Sequence, residues 1–193
     1  MDIETFWGLI DENLGHSPGR KARAEHLRAR LVELAPEEIA GFQAQVNNAC
    51  IRADSVDLWG AAARIRGGFC SDDGFEYFRY WLIGRGRAVF EHAVAAPDSL
   101  AETSEIQRLV GRRPRDWDED VEWPEWETLA YIAADAYAAV TGEQDEDAFD
   151  DAVNEFEGED FPDYLAEQQW NARDEEVAAV KIPNLARAFP LAG

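Results

Sequence analysis

The residues able to do chemistry are few and scattered. There are three histidines, His16, His26 and His92, and two cysteines, Cys50 and Cys70. A zinc site needs ligands at short fixed spacing, and a nucleophilic thiol needs a base beside it. No His-Glu-x-x-His, Cys-x-x-Cys or His-x-Glu run occurs, nor a Walker or Rossmann fingerprint. Nothing in the sequence pairs either cysteine with a histidine. Di-iron bundles use Glu-x-x-His pairs, and Val89 stands where His92 would need its glutamate. No metal and no cofactor is therefore expected.

Three polar runs remain. Ser71-Asp72-Asp73-Gly74 could offer carboxylates to a cation, but it lacks the alternating acidic spacing of a calcium loop. A helix N-cap followed by two acidic first-turn residues accounts for all of it. Gly84-Arg85-Gly86 looks like a fragment of a phosphate loop, yet it lies inside a helical pattern, where small residues permit close helix crossing. The third run is Trp117, Asp118, Glu119, Asp120, Glu122, Trp123, Glu125 and Trp126. Its carboxylates can attract a partner at long range, and its tryptophans can supply desolvated contact area. The plainer reading is a solvated loop anchored to the core by its tryptophans.

The charge balance gives that third run its weight. The 193 residues carry a net charge of −22. Residues 1–110 hold 17 acidic and 12 basic residues; residues 111–193 hold 23 and 6. From Asp116 to Ala172 there are 20 carboxylates and no Lys or Arg. Such a surface repels nucleic-acid backbone and anionic lipid and attracts cations or a basic protein. Only two lysines stand among the 18 basic residues, a bias that reads as a GC-rich bacterial genome. The acidic N-terminus lacks a signal-peptide pattern, and no apolar run approaches the roughly 18 residues of a membrane helix. The expectation is a cytoplasmic protein with both thiols free.

Helical periodicity supplies the elements that must position these residues. Asp2 caps a first helix carrying Phe6, Trp7 and Ile10, ending near Gly15; Ser17-Pro18 opens a second with Leu27, Leu31 and Leu34. Pro36 opens a third with Ile39, Phe42 and Val46, and Asp54 or Ser55 a fourth that stops at Gly67-Gly68. Ser71 caps a fifth, central helix that carries Phe75, Phe78 and Trp81 and runs past Val89 and Phe90 to Pro97. Arg79, Arg85 and Arg87 on its outer parts are placed to hold the acidic segment. Pro124 opens a sixth helix ending at Gly142. Phe149, Val153 and Phe156 mark a docked helix that Tyr164, Leu165 and Trp170 continue, with Phe161 interleaved, and residues 182–191 read as an extended apolar tail. Strand signals are sparse.

The run from Gly68 to Phe90, with Ser71, Asp72, Asp73, Phe75, Phe78, Arg79 and Trp81 at its centre, resembles the bacterial DUF4240 family. The Phe6-Trp7 pair, Asp57-Leu58-Trp59 and Pro97-Asp98-Ser99 fit the same pattern. The likeness covers about residues 1–140. It implies no catalytic residue, because no activity comes with it. Some relatives carry a WGR domain, which hints at a nucleic-acid setting, and no such module stands in this sequence.

Together these readings predict an all-α, single-domain bundle of six to nine helices. A helical domain spans 1–140, and an acidic extension over 141–193 packs on the same core. The predicted function is non-catalytic binding of a basic protein through an acidic face with tryptophan anchors, including mimicry of DNA toward a nucleic-acid-binding partner. Direct contact with nucleic acid or membrane is not expected. The alternative is a hydrolase-like enzyme with a carboxylate-based or metal site in a cleft between helices.

Overall fold

The computed structural model describes residues 1–143, 146–156 and 170–191, and among these there are eleven α-helices and no strand. In chain order they are α1 (Ile3–His16), α2 (Arg20–Leu31), α3 (Pro36–Arg52), α4 (Val56–Ile65), α5 (Asp72–Ile83), α6 (Arg87–Ala95), α7 (Ser104–Gln107), α8 (Leu129–Thr141), α9 (Glu146–Asn154), α10 (Glu175–Lys181) and α11 (Pro183–Ala188). The all-α class is as the sequence predicts. The helices outnumber the expected six to nine because one long helix is split and the tail is helical. Phe161, Tyr164 and Leu165 lie outside the described residues; Trp170 does not continue a helix, and its indole donates to Asp57 of α4 at 3.0 Å.

Local chemistry sets several of the helix starts. The Asp2 carboxylate accepts from the Thr5 amide at 2.8 Å, the Ser55 hydroxyl from the Leu58 amide at 3.2 Å, and the Ser71 hydroxyl from the Gly74 amide at 3.1 Å. Each satisfies an amide that the first helical turn leaves without a partner. Behind these caps, Phe6, Trp7, Leu27, Ile39, Phe42, Phe75, Phe78 and Phe90 are fully buried in one continuous core. α3, not α5, is the hub: α1, α5, α8 and α9 all pack against it.

Where the structure departs from the sequence reading, a long-range contact replaces a local one. α1 runs through Gly15 to His16, and α2 starts at Arg20 instead of Pro18. Its opening amides are met by Asp120, whose carbonyl accepts from Arg20 at 3.1 Å and whose carboxylate accepts from Lys21 at 3.0 Å. The predicted helix from Pro124 begins only at Leu129, because the Trp126 amide turns outward to donate to the Tyr77 carbonyl of α5 at 2.9 Å. The tail is helical because Asp98 accepts from the Asn184 and Leu185 amides at 3.0 and 2.9 Å and so caps α11 from afar. The fifth helix breaks after Ile83, where Gly86 adopts φ +85°, a left-handed conformation suited to glycine. The Gly84-Arg85-Gly86 run is thus a turn between α5 and α6, not a helix crossing.

Candidate functional site

The acidic segment between Asp116 and Glu127 is built inward. Its tryptophans are not free to anchor a partner: Trp117 is 6% and Trp126 2% exposed. The expectation of Trp117 and Trp126 as contact residues is therefore corrected, since rings already desolvated in their own core have no area to offer. Trp123 stays half-buried, with its ring centroid 5.3 Å from that of Trp117.

Most carboxylates of this segment also have structural partners. Glu122 takes both ends of the Arg112 guanidinium at 2.5 and 2.8 Å and the Asp118 amide at 2.8 Å. Those bonds hold its carboxyl at about 2. Asp118 closes its own turn through the Asp120 and Val121 amides, and Asp120 caps α2. Glu125 pairs with Arg66 at 2.6 Å, while Glu119 is exposed with no such partner among the described residues.

The arginines expected to hold the segment work elsewhere. Arg79 donates to the Cys50 carbonyl at 3.3 Å, Arg85 lies 3.5 Å from Glu105, and Arg87 pairs with Glu4 at 2.7 Å. Arg66, Arg112 and Arg20 take that role; Arg20 donates to the Trp123 carbonyl at 2.5 Å. Free carboxylates stand further along the chain. Asp135 on α8, Asp150 and Asp151 on α9, and Glu155 just beyond are exposed and without an ion-pair partner among the described residues.

The central motif is architectural. Ser71 is the cap, Asp72 and Asp73 are exposed in the first turn of α5, and Phe75, Phe78 and Trp81 are buried. Both thiols are free, and burial pushes the Cys50 thiol up to about 12, far from thiolate at neutral pH. Among the described residues no three His, Cys, Asp or Glu side chains converge as a metal site would require.

A cleft that the sequence reading missed lies where the α1–α2 turn faces the α5–α6 turn and α7. It encloses about 340 Å³ and is lined in part by His16, Ser17, Trp81, Arg85, Glu105 and Arg108. Gly15-His16-Ser17-Pro18-Gly19 matches the Gly-x-Ser-x-Gly spacing of a nucleophile elbow. That motif needs a strand-to-helix turn, whereas here it joins two helices, and the Ser17 hydroxyl accepts from the Gly19 amide at 3.2 Å. His16 stacks on His26, with ring centroids 4.0 Å apart.

The unusual feature of this corner is its buried arginines. Arg85 is 9% exposed, lies over Trp81 at 5.6 Å, and leaves its Nε without a hydrogen-bond partner. Arg23 is fully buried beside it; its guanidinium donates to the Gly84 carbonyl at 2.5 Å and sits over Trp126 at 4.7 Å. Its Nε and other terminal nitrogen have no partner. Burial, then the charges of Arg85 and Arg20, push the Arg23 guanidinium down to about 9. The glycine pair around Arg85 was the sequence signal for this turn. Arg23 gave none, because α2 carries arginine on every side.

A family profile described as a protein of unknown function, DUF4240, matches residues 1–139. The chain belongs to the DUF4240 family. The DUF4240 span takes in the Ser71 cap, the acidic segment and every cleft residue named above, and it stops before α9. No curated protein and no solved structure matches the chain.

Proposed function

We propose that this DUF4240 protein is a non-catalytic binding protein whose acidic face engages a basic protein, including one that itself binds nucleic acid. The observation that carries this reading is the outer face of α8 and α9. Asp135, Asp150, Asp151 and Glu155 are exposed there, and no Lys or Arg occurs between residues 116 and 172. Such a face draws a positive surface in from a distance. Tyr131, 55% exposed one turn before Asp135, supplies contact area in place of the buried tryptophans. Duplex DNA places about one charge per 1.7 Å of axis, so a row of carboxylates can compete with it for a basic groove. No helix among the described residues is long and apolar enough to cross a membrane.

The test is capture from cell lysate by the full chain and by D135K/D150K/D151K. A specific protein should be held by the wild type at low salt, lost from the variant, and released near 1 M salt, where the Debye length is about 3 Å. Release by duplex DNA would identify a nucleic-acid-binding partner. Capture that survives 1 M salt, or that the variant retains, overturns the reading. The enzyme alternative has the Arg85 cleft in its favour, although its lining carboxylates, Glu105 and Glu122, are each paired with an arginine.

A further inference from the structure

We propose that the cleft between the α1–α2 and α5–α6 turns is a binding site for a small oxyanion, the phosphate or carboxylate group of a metabolite-sized ligand, held by Arg85 with Arg108 at its mouth. The first argument is charge. A guanidinium removed from water needs a counter-charge and hydrogen-bond acceptors. Arg85 has one carboxylate, Glu105, at 3.5 Å, beyond the roughly 2.7–2.9 Å of a strong charge-assisted bond. Arg23, directly behind it on Gly84, has no carboxylate at ion-pair distance among the described residues. Glu122 also lines the cleft, but Arg112 takes both of its oxygens, so Glu105 is the one lining carboxylate left for Arg85 and Arg108. A bound oxyanion would supply what the fold leaves out.

The second argument is shape. About 340 Å³ lies within the range of small-ligand sites, roughly 300–1,000 Å³. Trp81 forms a flat apolar wall beside Arg85, and a planar guanidinium fork suits the paired oxygens of phosphate or carboxylate. The third argument is that the present partner is displaceable. Glu105 is only half-buried and also accepts from the Ser104 hydroxyl at 2.9 Å, so it can rotate away as an anion enters. None of these residues belongs to the α8–α9 face, and the site stands or falls independently of the protein-binding reading.

The experiment is an NMR titration of the ¹⁵N-labelled full chain with inorganic phosphate and, separately, succinate, at ionic strength fixed with sodium chloride. Saturable shifts of the Arg85 Nε–H and the Trp81 indole N–H are expected. Arg85→Met should raise the Kd about tenfold or more, the worth of a charge-assisted hydrogen bond. Arg108→Met, at an exposed position that leaves the core intact, should raise it about threefold and decides the matter if the Arg85 variant does not fold. Saturation by one anion alone assigns the ligand class. Absence of saturable shifts with both anions, equal shifts with chloride, unchanged binding in a folded Arg85→Met, or, where that variant does not fold, unchanged binding in Arg108→Met overturns the proposal.

Discussion

Arg64 and Arg23 are both fully buried, and the chain treats them in opposite ways. Arg64, on α4, donates to the Ala172 carbonyl at 3.1 Å, to both Glu175 oxygens at 2.9 and 2.8 Å, and to the Ala186 carbonyl at 3.1 Å. It ties the C-terminal segment to the body, and α11 packs on α4 beside it. Arg23, on α2, has one carbonyl and one aromatic face. A buried guanidinium whose two terminal nitrogens are both bonded, with only its Nε unmet, is a structural bolt. A buried charge with most of its donors unmet is a cost that stability alone does not explain, and such groups gather at functional sites.

The sharpest way to break this contrast is Arg64→Met. Two buried carbonyls and the Glu175 carboxylate would lose their donor together. Unfolding free energy should fall by about 3 kcal/mol in a urea titration, since each buried acceptor left unmet costs about 1–3 kcal/mol. Glu175→Gln should do less, because Glu175 is half-exposed and the two carbonyls would remain bonded. If Glu175→Gln matches Arg64→Met, the carboxylate and not the carbonyl pair is the bolt. Proteolysis near residue 170 should accelerate in Arg64→Met and stay slow in the Arg23 variant.

Arg23→Met tests the other half, with the opposite sign. Methionine keeps apolar contact with Trp126 while removing an uncompensated charge. Replacing buried ionic groups with apolar ones of similar volume is often stabilising. A gain of about 1 kcal/mol is expected in anion-free buffer, after the Gly84 carbonyl loses its donor. A loss as large as that of Arg64→Met would mean that Arg23 is as structural as Arg64, and the two arginines would no longer differ in kind.

The same contrast explains what the sequence could disclose. Caps made within one turn were legible: Asp2 and Ser71 announce themselves by position, and the fourth helix's cap was narrowed to Asp54 or Ser55, of which the structure uses Ser55. So was the helical class, because Phe6, Ile10, Phe42, Val46, Phe75 and Phe78 recur at helical spacing. Features fixed by partners far along the chain were not. Asp120 opens α2 from about a hundred residues away, and Asp98 caps α11 from nearly as far. Trp117 and Trp126 sit among carboxylates in sequence but in the core in space, since a loop pinned by Arg66 and Arg112 turns its rings inward. The cleft was illegible for the same reason: His16, Arg85 and Arg108 converge only after three turns have been placed.

The smallest expected effect concerns an arginine whose partner is present but lies near the surface. Arg112 holds Glu122 below the ordinary carboxylate range, and the Asp118 amide adds to that hold. Because the folded-state value is depressed to about 2, the pair stabilises the fold fully above the ordinary glutamate value of 4.5 and loses that contribution as pH falls toward 2. Glu122→Gln should therefore be less stable than wild type at pH 6, with the gap in urea midpoint closing between pH 4.5 and 2. The stability of Arg23→Met relative to wild type should move less across that window, because Arg23 has no carboxylate at ion-pair distance among the described residues and feels Glu105 only through space. A Glu122→Gln gap independent of pH would show that Glu122 acts through shape, and would leave Arg64 as the arginine whose charge pairing holds this fold together.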